Sequence, residues 1–241
     1  MMANYAAKRA GLGLEIGKLR SIGSPIRGGE IMHTGIVPFL KKWFGDLRCA
    51  SQGGIRNSSC SVFLPVWHMQ FLDFIVLKNN QGTEENRIRH MDYGVVLSKL
   101  FLKRLKDKGM ITFFDPNDLP DLYEAYYSDV ELFEKLYVKY EKDASVRKSQ
   151  ISAEELFRDY IIKERTDTGR IYIMFVDNVI NHTPFDSKTH PIYQSNLCLT
   201  GDTMVDIIEN GIEKTIPVSE VYPYDNEILI KSKHINSDDV V

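Results

Sequence analysis

Three cysteines, Cys49, Cys60 and Cys198, are the thiols of this 241-residue chain. A thiol can serve as nucleophile, metal ligand or disulfide partner. The count is odd and no pair is spaced CxxC, so the set is neither a disulfide framework nor, by itself, a closed zinc site. No metal site is expected. Without further context each cysteine is a small buried hydrophobe. Two glycine-rich loops carry the other reactive-looking groups. Arg27-Gly28-Gly29-Glu30 is a glycine-rich turn. In Ser51-Gln52-Gly53-Gly54-Ile55-Arg56 the paired glycines free the backbone. Gln52 and Arg56 there offer an amide and a guanidinium to a nucleobase or a phosphate. Those six residues alone fit a solvated loop equally well.

Something must position these groups, and the chain reads as strands alternating with helices. A short helical stretch over residues 1–10 leads to a strand-like segment with Leu12, Leu14, Ile16 and Leu19. An apolar face from Ile36 to Leu47 predicts a helix over His33–Leu47, with Pro38 tolerated in its first turn. Strands are expected at Cys60–Trp67, Tyr93–Leu97, Met110–Phe114 and Arg170–Val176. Helices are expected at Met69–Leu77 and Lys99–Lys108, in two acidic and aromatic runs from Asp118 to Glu141, and from a capping box at Ser152-Ala153-Glu154-Glu155. An irregular polar stretch then runs to Cys198. The pattern implies α/β architecture with a mainly parallel sheet covered on both faces. In such sheets ligands bind in loops beyond the carboxyl ends of strands, where the two glycine-rich loops are expected.

After Cys198 the texture changes. Nine carboxylates face only Lys214, Lys231 and Lys233 there, whereas residues 1–197 are net basic. Short strands are expected at Met204–Ile208 and Ile228–Ile230, and Asn210-Gly211 is a strong hairpin turn. A sign change at one position suggests two units: 1–197 and 198–241.

The longer strings narrow the reading. Leu19-Arg20-Ser21-Ile22-Gly23-Ser24-Pro25-Ile26-Arg27-Gly28-Gly29-Glu30, His33-Thr34-Gly35 and Ser51-Gln52-Gly53-Gly54 closely resemble class I ribonucleotide reductase large subunits. So do Val76-Leu77-Lys78-Asn79-Asn80, Arg89-His90-Met91-Asp92-Tyr93-Gly94-Val95, Tyr137-Val138-Lys139-Tyr140-Glu141-Lys142-Asp143 and Thr168-Gly169-Arg170-Ile171-Tyr172-Ile173. Thr183-Pro184-Phe185-Asp186 and Gln194-Ser195-Asn196-Leu197-Cys198-Leu199 complete the match, which covers about residues 3–199 in order. The resemblance implies part of a ten-stranded α/β barrel. A finger loop would thread its centre, with the thiyl-radical cysteine at the tip. A radical that must meet a ribose C3′ hydrogen and not solvent needs such an enclosed site.

The resemblance also assigns roles. Arg20, Ile26 and Arg27 match the loop that holds an allosteric deoxynucleotide at the dimer interface. Gln52 and Arg56 match the loop that relays effector identity to the substrate base. Ala10 and Gly11 match a backbone approach to substrate, and Asn196 the amide that hydrogen-bonds the ribose hydroxyl. The implied partners are a ribonucleotide substrate, a second large subunit, a small subunit whose metal site generates the radical, and thioredoxin or glutaredoxin. Deoxynucleotide and ATP effectors are implied, with no cofactor held by this chain itself.

Some positions depart from the family. The glutamate expected two residues after the radical cysteine is Thr200, which leaves loss of the 2′-hydroxyl without a base. Cys49 and Cys60 do not match the redox pair, which assigns them structural roles. The ATP cone, the redox pair, the phosphate-binding Ser/Thr loop and the radical-relay tyrosines lie outside the sequence, so the isolated chain is expected to be inactive.

Cys198-Leu199-Thr200-Gly201-Asp202-Thr203 resembles the first block of an intein of the Hint type. The chemistry needs a thiol directly after the scissile peptide. Cys198 would attack the Leu197 carbonyl and turn the Leu197–Cys198 amide into a thioester. Cys198 thus has two readings, radical cysteine or splicing nucleophile, and the intein-like residues downstream favour the second. No TxxH block and no terminal His-Asn follow, so a split intein, with remaining fragments encoded elsewhere, and a truncated frame both stay open. A non-catalytic effector-binding or dimerisation fragment, whose only chemistry is self-processing, is the alternative function. No run of about 18 apolar residues predicts a membrane span. Met1-Met2-Ala3-Asn4-Tyr5 lacks the pattern of a secretory signal. A cytoplasmic site and no nucleic-acid partner are expected.

Overall fold

The computed structural model describes residues 2–7, 11–49, 51–52, 56–57, 59–195, 204–209, 212–217, 220–221 and 229–230. Helix α1 (Met2–Ala7) leads into strand β1 (Leu12–Glu15). A small hairpin, β2 (Pro25–Ile26) with β3 (Ile31–Met32), precedes α2 (Val37–Arg48). A second hairpin pairs β4 (Ser51–Gln52) with β5 (Arg56–Asn57). Strand β6 (Cys60–Pro65), α3 (Phe71–Ile75), β7 (Asp92–Leu97), α4 (Lys99–Lys106) and β8 (Met110–Phe114) follow. Helices α5 (Pro120–Ser128) and α6 (Val130–Lys142) come before β9 (Lys148–Ser152). One continuous helix then comprises α7 (Ala153–Glu155), a π-helical stretch (Leu156–Ile162) and α8 (Lys163–Thr168). It ends at Gly169, whose φ of 65° is the left-handed stop that glycine accepts at no steric cost. Strand β10 (Ile171–Phe175) and α9 (Val176–His182) complete the α/β part.

The central sheet has the order β1-β6-β7-β10, and every pairing in it is parallel. Register separates its two faces. Leu12, Leu14, Val62, Leu64, Tyr93, Val95, Leu97 and Ile171 point one way. They pack with Leu40 and Leu47 of α2, Phe71 and Phe74 of α3, and Phe101 of α4. The alternate positions include Gly13, Glu15, Phe63, Val96, Tyr172 and Met174. They face Leu122, Tyr123, Tyr126 and Tyr127 of α5, with Phe133 and Tyr137 of α6 behind. Cover on both sides is why β6 and β7 read as nearly unbroken apolar runs.

Several expectations shift. The helix expected from His33 begins at Val37, because His33 is still bonded into the hairpin through His33 N–H to the Ser24 carbonyl at 2.8 Å. Gly35, at φ 84°, then turns the chain. Ser152 does not cap the helix after it: it closes β9, paired with Met110, and its side chain makes no capping bond. Neither β9, antiparallel to β8, nor α9 was expected. β9 is largely polar, with Ile151 as its buried residue. α9 carries Asp177, Asn178 and Asn181, which read as loop residues.

Beyond residue 203, β11 (Met204–Glu209), β12 (Ile212–Pro217) and β13 (Leu229–Ile230) form an antiparallel sheet in the order β12-β11-β13. Glu209 pairs with Ile212, so the connection is the expected two-residue hairpin. Asn210 and Gly211 themselves lie outside the described residues.

Candidate functional site

The face of the sheet that carries Gly13 and Glu15 supplies the site. Gly13 is bare there for a reason: a Cβ would overlap the Gln194 side chain and press on the Ser195 carbonyl. The segment 193–195 therefore lies directly on β1. Ser195 also reaches a cavity of about 850 Å³ walled by Ser61 and Phe63 of β6, Tyr172 and Met174 of β10, and Asn178 and His182 of α9. Two residues along β1, at its carboxyl end, stands Glu15. Its carboxylate accepts from Tyr123 Oη at 2.6 Å, Tyr127 Oη at 3.2 Å and Gly17 N–H at 2.7 Å. Tyr193 stacks on Tyr123, with centroids 6.2 Å apart, and meets Tyr127 edge-on at 4.8 Å. The segment thus runs antiparallel to β1, from Glu15 at one end towards Gly13 at the other.

Burial raises the Glu15 carboxyl to about 7, although its three donors and Lys18 oppose the rise. The same burial and the neighbouring carboxylate push the Tyr123 phenol far up, so its proton stays on oxygen as a donor.

Beyond the carboxyl end of β1, the loop of residues 16–36 is tied down from several sides. Gln70 Oε1 accepts both Ile22 N–H and Ile36 N–H at 3.0 Å. Asp115 accepts Ser21 N–H at 3.2 Å and pairs with Arg147. His68 is fully buried. Gln70 N–H donates to its Nδ1 at 3.1 Å, which leaves Nε2–H to donate to the Leu19 carbonyl at 2.9 Å. Burial lowers His68 to about 4. At the hairpin tip Arg27 is exposed with φ 50°, followed by Gly28 at 70° and Gly29 at 101°. A non-glycine residue in that region is strained.

The site residues expected from sequence fall into two groups. Arg20, Ile26 and Arg27 lie together in the anchored loop. Arg20 folds back to donate to the Pro25 carbonyl at 2.8 Å, Ile26 is half-buried in β2, and Arg27 faces solvent. Gly11 is half-buried immediately before β1. Gln52 and Arg56 oppose each other across the β4–β5 pair, and α1 packs against β4. Side-chain placements of Gln52 and Arg56 lie outside the described residues, as do Ala10, Asn196, Leu197 and Cys198 entirely. Because β1 and β6 are parallel with Leu12 opposite Cys60, Gly11 and the 49–59 loop share the amino end of the sheet. That corrects the expectation of two loops at carboxyl ends: the 16–36 loop is there, whereas the second loop enters β6 from below. Ser195, level with Gly13, approaches the same amino end.

Cys60 is buried, and that burial pushes its thiol up to about 12, which suits an inert packing role. Cys49 is exposed, so the reading of a buried hydrophobe fails there. Among the described residues no cluster of His, Cys, Asp or Glu could hold a metal ion, and no helix is long and apolar enough to cross a membrane. Sequence reading missed Glu15, Tyr123, Tyr127 and Tyr193. One signal was available: an acid inside the apolar run Leu12-Gly13-Leu14-Glu15-Ile16 must find partners when buried.

A parallel α/β sheet is what the sequence resemblance implies, and comparison with known proteins agrees with that. The family model for the ribonucleotide reductase barrel domain matches residues 1–200, and the chain belongs to that family. It is 50% identical over 198 residues to ribonucleoside-diphosphate reductase 1 subunit alpha of Salmonella typhimurium, covering 82% of this chain and 26% of the relative. The Escherichia coli subunit of the same name matches to the same extent. The alpha subunit of enterobacteria phage T4 is 42% identical over 228 residues, 94% of this chain and 28% of its own length. That match continues past Cys198. The chain spans about a quarter of the length of these curated relatives.

Proposed function

We propose that this chain supplies the substrate-facing inner wall of a ribonucleoside-diphosphate reductase large subunit, which makes deoxyribonucleotides in the cytoplasm by thiyl-radical chemistry. The observation that carries the reading is the segment 193–195 lying on Gly13 inside the sheet, one residue short of Asn196. In this reading Asn196 holds a ribose hydroxyl. A cysteine at the position of Cys198 takes the C3′ hydrogen atom as a thiyl radical and becomes a thiol. Gly11, Ala10, Gln52 and Arg56 approach the substrate from the amino end of the sheet, and Arg20, Ile26 and Arg27 receive the effector deoxynucleotide. A second large subunit, a radical-generating small subunit and thioredoxin or glutaredoxin complete the cycle. Reconstitution of residues 1–197 within a full-length large subunit, assayed with its small subunit, tests this. Asn196→Ala should lower turnover by at least about a hundred-fold, the range of a lost transition-state hydrogen bond. Unchanged turnover would remove the assignment.

We infer further that residues 198–241 open an intein whose nucleophile is Cys198. Support comes from the string Cys198-Leu199-Thr200-Gly201-Asp202-Thr203, from the acidic tail, and from the change to an antiparallel sheet after residue 203. The phage T4 match, running past Cys198, is an observation on the other side. When the 241-residue chain is mixed with a complementary C-terminal fragment, Cys198→Ala should abolish ligation at Leu197. Ligation that persists in the mutant sinks the splicing reading and leaves Cys198 as the radical cysteine.

A further inference from the structure

We propose that Glu15 is a positioning residue: through Tyr123 and Tyr127 it seats Tyr193, and so fixes the segment that leads into Asn196 and Cys198. The proposal rests on the reductase reading, in which those two residues meet the substrate.

A carboxyl on the buried face of an apolar strand is costly unless donors surround it. Glu15 has three within 3.2 Å, and two are phenols from one helix. Tyr123 and Tyr127 are four residues apart on α5 and share a face. Bonding both hydroxyls to one carboxylate fixes both rings, and they meet at 5.3 Å. Tyr193 fills the angle between them, flat on one and edge-on to the other. Gln194 shows why this grip matters. Its Oε1 is buried without a hydrogen-bond partner among the described residues. Ring packing at Tyr193, rather than polar bonding at Gln194, holds the segment against Gly13.

The charge of the carboxyl bears on this grip. Facing Glu15 are Lys18 from the turn after β1, Tyr123, Tyr126 and Tyr127 from α5, and Tyr193 from the segment. Lys18 lies 4.9 Å from the centroid of the Tyr123 ring and bonds Glu124 at 2.8 Å. An ionised Glu15 accepts from all three donors. A protonated one keeps all three partners, because Tyr123 Oη can accept its hydrogen while Oε1 still accepts from Tyr127 and Gly17, and it avoids the cost of a desolvated charge. Because burial lifts Glu15 to about 7, that change falls near neutral pH.

Hydrogen exchange on the full 241-residue chain tests the proposal, comparing amides of Tyr193, Gln194 and Ser195 with those of β7 as internal reference. After correction for intrinsic exchange, wild-type protection of 193–195 relative to β7 should fall about ten-fold from pH 5.5 to 8.5, with a midpoint near 7. Glu15→Gln, which cannot ionise, should remove the pH dependence. Tyr193→Ala should expose the segment at every pH and leave β7 protected. A flat wild-type profile, a profile that survives Glu15→Gln, or losses that spread equally to β7 would each overturn the proposal. If Glu15→Gln does not fold, the wild-type titration and Tyr127→Phe, which keeps the ring and loses one donor, decide. The readout is not turnover, so failure here leaves the reductase reading intact. A confirmed seat without turnover in the reconstituted subunit would remove that reading alone.

Discussion

His68, fully buried, and Glu15, half-buried beneath the α5 tyrosines, pull stability in opposite directions. The folded chain keeps His68 neutral down to about 4, whereas an unfolded chain takes up the proton near 6.5. Its contribution is present above 6.5 and lost as pH falls through 4, and it is worth about 3 kcal/mol for a fully buried ring. Glu15 holds its proton up to about 7 when folded and only to 4.5 when unfolded. Its contribution is full below 4.5 and lost as pH rises through 7. Between pH 4.5 and 6.5 the two slopes offset each other. His68→Gln should expose the Glu15 slope, with a urea midpoint that is lower at pH 7 than at pH 5. A midpoint that rises over that range would contradict the assignment. Neither residue was singled out in the sequence, although each is a polar group beside apolar residues. Their partners were not legible there: Leu19 lies 49 positions from His68, and Tyr123 lies 108 from Glu15.

At the scale of elements, helix starts separate real caps from apparent ones. Asp129 accepts Leu132 N–H at 3.0 Å at the head of α6, whereas Ser152, in the more suggestive motif, caps nothing. Asp129→Ala should cost about 1 kcal/mol by thermal denaturation, and Ser152→Ala under about 0.5. Equal losses would mean that the capping geometry is misread. The motif misleads because the backbone of Ser152 is already committed to the β8–β9 ladder, a long-range pairing that local propensity cannot register. The apolar strands β6, β7 and β8 were legible for the opposite reason, since burial on both faces writes itself into composition. The π-helical stretch Leu156–Ile162 had no visible signature. It rephases the helix, and just after it Glu164 reaches Asn79 at 3.0 Å.

For the whole molecule, alternating strands and helices fixed the class of architecture, and the family strings fixed the barrel type. Which end of the sheet gathers Gly11 and the 49–59 loop became clear only from the parallel register of β1 and β6. Among the described residues β1 and β10 are the edge strands of the central sheet. Sheet edges recruit other strands. The isolated chain should therefore self-associate with rising concentration, within roughly the micromolar to millimolar range, as read by light scattering. A strictly monomeric chain across that range would show that the edges are protected.

The seat of Tyr193 has a consequence for the order of assembly. Its walls, Glu15 and the α5 tyrosines, precede it in the chain, and synthesis delivers the amino-terminal parts first. The niche between β1 and α5 can be complete while its occupant is still unmade, and its rings meet water until residue 193 arrives. The segment then enters as a late plug rather than an early strut, and the inner wall closes only when the last part of the α/β unit has been synthesised.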